Sequence, residues 1–256
     1  LMVAQYTTGQ VFKVTDEISR RVRLNEGMTE DNRLHSPAIV RAFDTLQMFK
    51  AFCETQGINH ILPVATAAVR DAENGQDFLK GVHQSTGLDF RILSGEEEAY
   101  YGAVGVINGL NVRDGLVLDI GGGSAEISLV RGGKFVKGIT KPYGAIRVTE
   151  VYFPNKKVTA HQITRFKQEL DIAFQAMDWV HVTRSMSMTG IGGTIRALAR
   201  IDRTMRRYPI ALVHGYELKL RRIEKMINIL ASTSVSERIK YLPGLQTDRE
   251  DIILAG

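Results

Sequence analysis

A single cysteine, Cys53, occurs among the 256 residues, which excludes an internal disulfide. It lies in Ala51-Phe52-Cys53 of an apolar helical pattern, so it reads as a buried structural thiol rather than a nucleophile. No run of about 18 apolar residues exists, and no membrane span is expected. No signal peptide opens the chain, so the expected location is the cytoplasm. The six histidines have no metal-ligand spacing, and only His214-Gly215 stands out. No Ser-His-Asp or Cys-His constellation can be assembled. The chain does not lack charge of either sign. There are 33 Lys+Arg against 28 Asp+Glu, a net charge of +5 and a pI of about 9.3. This mild excess fits an acidic ligand without demanding one.

Length suits one large domain or two medium ones. The opening reads as a hairpin: Val3 to Tyr6, a turn at Thr8-Gly9-Gln10, then Val11 to Val14, with Ser19 to Leu24 also extended. Ser36 is expected to cap a helix with Pro37 at its first position and apolar residues at Ile39, Ala42, Phe43, Leu46, Phe49 and Cys53. Gly57 ends it. Ile58 to Ala65 reads as a buried parallel strand, awkward at Pro63. A helix over Gln76 to Ser85 and a strand at Phe90 to Leu93 follow. Ser94 opens a helix to Asn108, with Gly109 past its end. The second half predicts strands over 116–120, 125–130 and 134–140, then helices around Ala145 to Tyr152 and His161 to Val180. A strand at Met186 to Thr189, a helix at Thr194 to Ile201 and a mainly helical remainder from Tyr216 complete it. The pattern predicts an α/β chain of two tandem lobes, residues 1–114 and 115–256, with a ligand cleft between them. Both ends read as cut, at a strand already under way and at an uncapped helix over Asp251 to Gly256. The chain is therefore expected to be a fragment of a longer protein.

Leu118-Asp119-Ile120-Gly121-Gly122-Gly123-Ser124 joins two apolar strands through three glycines. Three in a row weaken a sheet, and bare N–H groups in such a turn form a concave anion nest. Asp119 would repel phosphate there unless a cation lay between, which points to Mg²⁺, a hard ion that prefers oxygen. Glu126 on the facing strand is a second candidate ligand. The plainer reading is a tight hairpin with Asp119 satisfied by amides. A second run, Thr189-Gly190-Ile191-Gly192-Gly193-Thr194, leads from strand into helix, where N-terminal N–H groups attract anions. It reads equally well as a close-packed turn with Thr194 as N-cap.

Three acids follow Ser94. Glu97 completes a capping box, and Glu96 needs no more than the helix dipole. Glu98 has no such duty and could orient a water and accept its proton, although a solvated first-turn acid is the plainer reading. Arg70 follows a strand end, where ligands gather in open parallel sheets. It could fork onto phosphate or pair with Asp71. The last third gathers Arg196, Arg200, Arg203, Arg206, Arg207, Lys219, Arg221, Arg222 and Lys225. A solvated face accounts for most such runs; lining one groove, they would suit a long polyanion. No aromatic residues interleave, so nucleic acid is not expected.

Four ordered segments carry a resemblance: Val64 to Asp71, Ser94 to Ala99, Asp119 to Glu126 and Gly190 to Thr194. Val213-His214-Gly215 and Asp251 to Gly256 add to it. Together they resemble the exopolyphosphatase/guanosine pentaphosphate phosphohydrolase family, within the actin, sugar kinase and Hsp70 superfamily. The resemblance implies actin-like (ribonuclease H-like) lobes, with the catalytic glutamate at Glu98 and the cleft arginine at Arg70. It implies a phosphate loop at Gly121, Gly122, Gly123 and Ser124, with metal-associated acids at Asp119 and Glu126. Gly192, Gly193 and Thr194 match the loop that binds adenosine in superfamily kinases. The family's first phosphate loop would precede Leu1. The implied activity is Mg²⁺-dependent release of terminal phosphate from inorganic polyphosphate, or from guanosine penta- or tetraphosphate. The alternatives are a non-catalytic polyphosphate or nucleotide sensor and a small-molecule kinase. A homodimer is left open.

Overall fold

The computed structural model describes residues 1–7, 11–155, 157–181 and 186–256. The turn expected at Thr8-Gly9-Gln10 lies outside the described residues. On either side of it, β1 (Met2–Thr7) and β2 (Val11–Glu17) pair antiparallel, with Tyr6 opposite Phe12 and a bulge between Val3 and Ala4. The extended run expected over Ser19 to Leu24 forms no strand. It carries Arg20, Arg21 and Arg23 to the cleft described below.

After a single turn of helix, α1 (Met28–Asp31), comes α2 (Ser36–Thr55). His35 rather than Ser36 is the N-cap, and Pro37 sits in the first turn, where its missing N–H costs nothing. Gly57 takes φ +66, the left-handed geometry that ends a helix. Next are β3 (Val64–Ala65), α3 (Ala67–Arg70), α4 (Gly75–Thr86) and β4 (Arg91–Ile92). Helices α2 and α4 close a core of Ala42, Phe78 and Val82 with Ala65 and Val69. The buried strand expected over 58–65 shrinks to two residues that pair parallel with β4. Leu62 is 91% exposed. Pro63 has no N–H to give, and its carbonyl accepts from Arg91 (3.1 Å).

Helix α5 (Gly95–Leu110) begins at the expected capping box: the Glu97 N–H donates to the Ser94 hydroxyl, and the Glu97 carboxylate accepts from the Ser94 N–H. It ends at Asn111, which takes φ 52, so Gly109 does not serve as the left-handed residue. The second sheet has the order β7-β6-β5-β8, from β5 (Gly115–Ile120), β6 (Ala125–Arg131), β7 (Lys134–Lys141) and β8 (Met188–Ile191). β5, β6 and β7 form antiparallel pairs, and β8 runs parallel to β5. Val117 and Val130 on one face meet Ala103 and Val106 of α5. Thus α5 precedes residue 114 yet buries its small side chains on the second sheet. The other face puts Ile127 and Leu129 against Met177 and Trp179.

The helix expected over 161–180 is two pieces, α7 (Ala160–Gln175) and α8 (Asp178–His181), preceded by α6 (Ala145–Tyr152). Helix α9 (Gly192–Met205) starts two residues before Thr194, so Thr194 is a buried first-turn residue and Ile191 holds the cap position. Beyond it are α10 (Leu220–Ser232) and α11 (Arg238–Tyr241), packed with α9 around Ile201, Met226, Leu230 and Leu242. The uncapped helix expected over Asp251 to Gly256 is a series of turns.

Candidate active site

Strand periodicity places the acids. Asp119 pairs with Glu126 across β5–β6, and Glu126 pairs with Thr140 across β6–β7. The three stand in one row, on the face that α5 covers, because residues two apart share a face. Glu98 enters from the first turn of α5. A cavity of about 920 Å³ receives Glu98, Asp119 and Glu126 together with Gly121, Gly122, Gly123 and Ser124.

The Glu126 charge acts on both of the other carboxylates. Burial, reinforced by the Glu126 charge and opposed by Arg196, pushes the Asp119 carboxyl up to about 6. Among the described residues no hydrogen-bond donor reaches the Asp119 carboxylate. Burial also raises Glu98; its hydrogen bond from Arg70 works against this, and the charge of Glu126 adds to it. Glu126 is buried and accepts a hydrogen bond from the Thr140 hydroxyl (2.8 Å).

Arg70 does not line the cavity. Its guanidinium forms an ion pair with Glu98, donates to the Leu93 carbonyl (3.0 Å) and reaches Asp71 (3.2 Å). Arg70 thus clamps the glutamate and also makes the Asp71 pair of its plainer reading.

The glycine turn is built to offer donors. Its carbonyls face away: Gly121 accepts from Ala145 (2.9 Å) and Gly122 from Ile146 (3.0 Å), capping the start of α6. Among the described residues, the N–H groups of Gly122 and Gly123 have no partner. Gly144 lies against this turn so closely that a Cβ there would sit 2.4 Å from the Gly122 and Gly123 backbone.

Of the second glycine run, Gly193 reaches the cavity. A Cβ on it would lie 2.1 Å from the Arg249 guanidinium. Thr194 is buried beneath the C-terminal turns, against Gly256, and does not line the cavity. His214 hydrogen-bonds the Gly109 carbonyl (3.2 Å), away from the site.

Sequence reading missed most of the cations. Arg20, Arg21, Arg23 and Arg249 join Arg196 and Arg200 around the cavity. Among the described residues Arg21 and Arg249 form no ion pair. Burial lowers Arg200 and Arg249 from the ordinary arginine value; Asp248 opposes this at both, and neighbouring arginines add to it. Six converging guanidinium groups beside free amides favour a multiply charged anion. The first three arginines sit in an irregular segment with no periodicity to announce them.

Two carboxylates and no cage suit Mg²⁺, which is usually held by one or two carboxylates with water and phosphate oxygens completing the shell. Among the described residues no group of three or more His, Cys, Asp or Glu is arranged to hold a metal alone. Asp119, ionisable and without a donor, fits such an ion.

The family model described as the Ppx/GppA phosphatase family matches residues 2–256. The chain belongs to that family. It is 31% identical over 209 residues to a guanosine-5'-triphosphate,3'-diphosphate pyrophosphatase of Vibrio cholerae, covering 78% of this chain and 41% of that protein. It is 28% identical over 249 residues to a bifunctional 3-dehydroquinate synthase/phosphatase of Fusobacterium nucleatum, covering 92% of this chain and 36% of that one. The chain thus spans less than half the length of these two relatives. Among solved structures, the Aquifex aeolicus member of the Ppx/GppA family matches with a TM-score of 0.78 at 27% identity, over 100% of this chain and 82% of that one. An exopolyphosphatase from Cytophaga hutchinsonii matches in fold with a TM-score of 0.88 at 20% identity, over 99% and 82%. The fold is the two-lobed, actin-like α/β architecture of the family.

Proposed function

We propose that the chain carries the active site of an exopolyphosphatase, which releases terminal phosphate from inorganic polyphosphate by attack of water. The observation that carries this reading is the meeting of Glu98, held by Arg70, with a glycine turn whose amides are free, inside an arginine-lined cavity. The terminal phosphates lie against Gly122 and Gly123, and Arg196 and Arg200 hold the following units. Asp119 and Glu126 hold Mg²⁺, which when bound supplies positive charge to the phosphate oxygens. Glu98 orients a water and takes its proton as the oxygen–phosphorus bond forms. The terminal anhydride bond breaks, and its electrons leave on the shortened chain. Arg70 fixes the glutamate's rotamer and favours its ionised form, so that the base is ready despite burial. Positioning and charge neutralisation are most of what phosphoryl transfer requires.

The second reading is hydrolysis of a guanosine 5'-triphosphate 3'-diphosphate, favoured by the likeness to the Vibrio cholerae pyrophosphatase. Phosphate release by the full-length protein, from long-chain polyphosphate and from the guanosine compound, with and without Mg²⁺, separates them. Metal-dependent release that gains steeply in kcat/KM with polymer length supports polyphosphate. Preference for the nucleotide favours the second reading. Binding of both without release would leave a sensor.

A further inference from the structure

We propose that Thr140 is a positioning residue, whose hydroxyl sets the Glu126 carboxylate for Mg²⁺ while its methyl seats the helix that carries Glu98. The inference rests on the reading of Asp119 and Glu126 as metal ligands. Thr140 belongs to β7 and stands opposite Glu126 in the ladder. Its hydroxyl donates to Glu126 Oε1 at 2.8 Å. No other hydrogen bond holds that carboxylate among the described residues. One oxygen is thus tied to the sheet, and the other has no hydrogen-bond partner among the described residues, in a side chain that lines the cavity.

The same side chain meets α5. A Cβ placed on Gly95 would lie 2.1 Å from Thr140 Cγ2 and 2.6 Å from its Cβ. Glycine at the first position of α5 is what allows the helix to rest on Thr140. One turn further along, Ala99 repeats the arrangement. Its carbonyl accepts from the Ser128 hydroxyl (2.9 Å), and a Cβ on Gly138 would lie 2.6 Å from its methyl. Small residues at 95, 99 and 103 therefore set the height of the helix above the sheet, and Glu98 projects from its first turn. Thr140 touches both halves of the chemistry: by hydrogen bond the acid that holds the cation, by packing the helix that holds the base. A hydroxyl that orients a ligating carboxylate governs metal affinity by about 10- to 100-fold.

The test uses the full-length protein with Thr140→Val, which keeps the shape and loses the hydroxyl, and Thr140→Ser, which keeps the hydroxyl. Mn²⁺ binding by calorimetry and the rise in Tm on adding Mg²⁺ are measured without substrate. Turnover against Mg²⁺ concentration is read separately. Thr140→Val is expected to bind Mn²⁺ about 10- to 100-fold more weakly, to lose most of the Mg²⁺-induced rise in Tm, and to need more Mg²⁺ for half-maximal turnover. Thr140→Ser is expected to stay close to the unsubstituted protein in all three. Unchanged Mn²⁺ affinity in Thr140→Val overturns the inference and leaves the hydrolase reading intact. Equal weakening in both variants also overturns it, since Thr140→Ser keeps the hydroxyl and the loss would then follow from disturbed packing. Failure of the unsubstituted protein to bind Mn²⁺ or Mg²⁺ overturns it together with the metal assignment.

Discussion

Asp119 on β5 and Glu126 on β6 face one another across an antiparallel ladder, and burial together with the Glu126 charge pushes the Asp119 carboxyl from 3.8 up to about 6. The folded protein therefore holds this proton more tightly than the unfolded chain. The stability associated with it is fully present below about pH 4, is lost as pH rises toward 6, and stays lost above that. At about 1.4 kcal/mol per unit, the loss is about 3 kcal/mol. Urea unfolding without metal at pH 4.5 and pH 7 is expected to show the decline, and Asp119→Asn to flatten it. Mg²⁺ is expected to restore stability at pH 7 and to do little at pH 4.5. A slope unaltered by Asp119→Asn would assign the effect to other groups.

Glu98→Gln keeps the shape and the α5 cap, and is expected to fold normally. Loss of a general base costs about 10²- to 10⁴-fold in turnover. Near-normal phosphate release would remove Glu98 from its role. In the unsubstituted enzyme the acid limb of kcat/KM is expected above the ordinary glutamate range, because burial raises Glu98 more than Arg70 lowers it. Arg70→Met takes away the opposing cation, so the limb is expected to move to still higher pH. A limb that stays in place would separate Arg70 from the control of Glu98.

The contrast between Glu98 and the cleft arginines explains what could be read in advance. The three-glycine turn and the Ser94–Glu97 capping box are local patterns, and their neighbours in sequence are their neighbours in space. Asp119 and Glu126 were legible for the same reason, since a hairpin pairs them by register. Arg20, Arg21 and Arg249 were not, because an irregular segment and a run of turns bring them together from opposite ends of the chain. Arg70 and Glu98 are each legible as candidates, but they lie 28 residues apart, and only the approach of α3 to α5 brings them into contact. The strand expected over 58–65 does not form in full because an apolar run need not be buried: Leu62 and Val64 face solvent.

Gly144 tests the loop rather than the acids. Its φ of −69 is ordinary, so the backbone itself tolerates alanine. The obstacle is steric, because the added methyl would lie 2.4 Å from Gly122 and Gly123. Gly144→Ala is expected to cost about 1–3 kcal/mol as overpacking and to raise KM by displacing the free amides. Unchanged stability and KM would mean that the turn yields without loss, and that its amides do not hold the terminal phosphate.

Arg23 and Asp251 lie at opposite ends of the chain and form a two-point ion pair. One guanidinium nitrogen reaches Asp251 Oδ1 at 2.7 Å and also the Asp248 carbonyl at 2.7 Å. Burial opposes ionisation of Asp251, but the Arg23 hydrogen bond and charge prevail and hold its carboxyl below the usual range. The contribution is therefore present at neutral pH and lost as pH falls through that lowered value. Because the Asp251 side chain is 38% exposed, the coupling belongs at the weak end of charged pairs. A double-mutant cycle on Arg23→Ala and Asp251→Ala is expected to give about 1–2 kcal/mol. The pair also fixes Arg23 at the rim of the cavity, so Asp251→Ala, distant from the attacking water, is expected to raise KM for polyphosphate more than it lowers kcat. Equal losses in kcat and kcat/KM would instead place the pair's effect in the transition state, and additive single mutants would show that the two ends are held by other contacts.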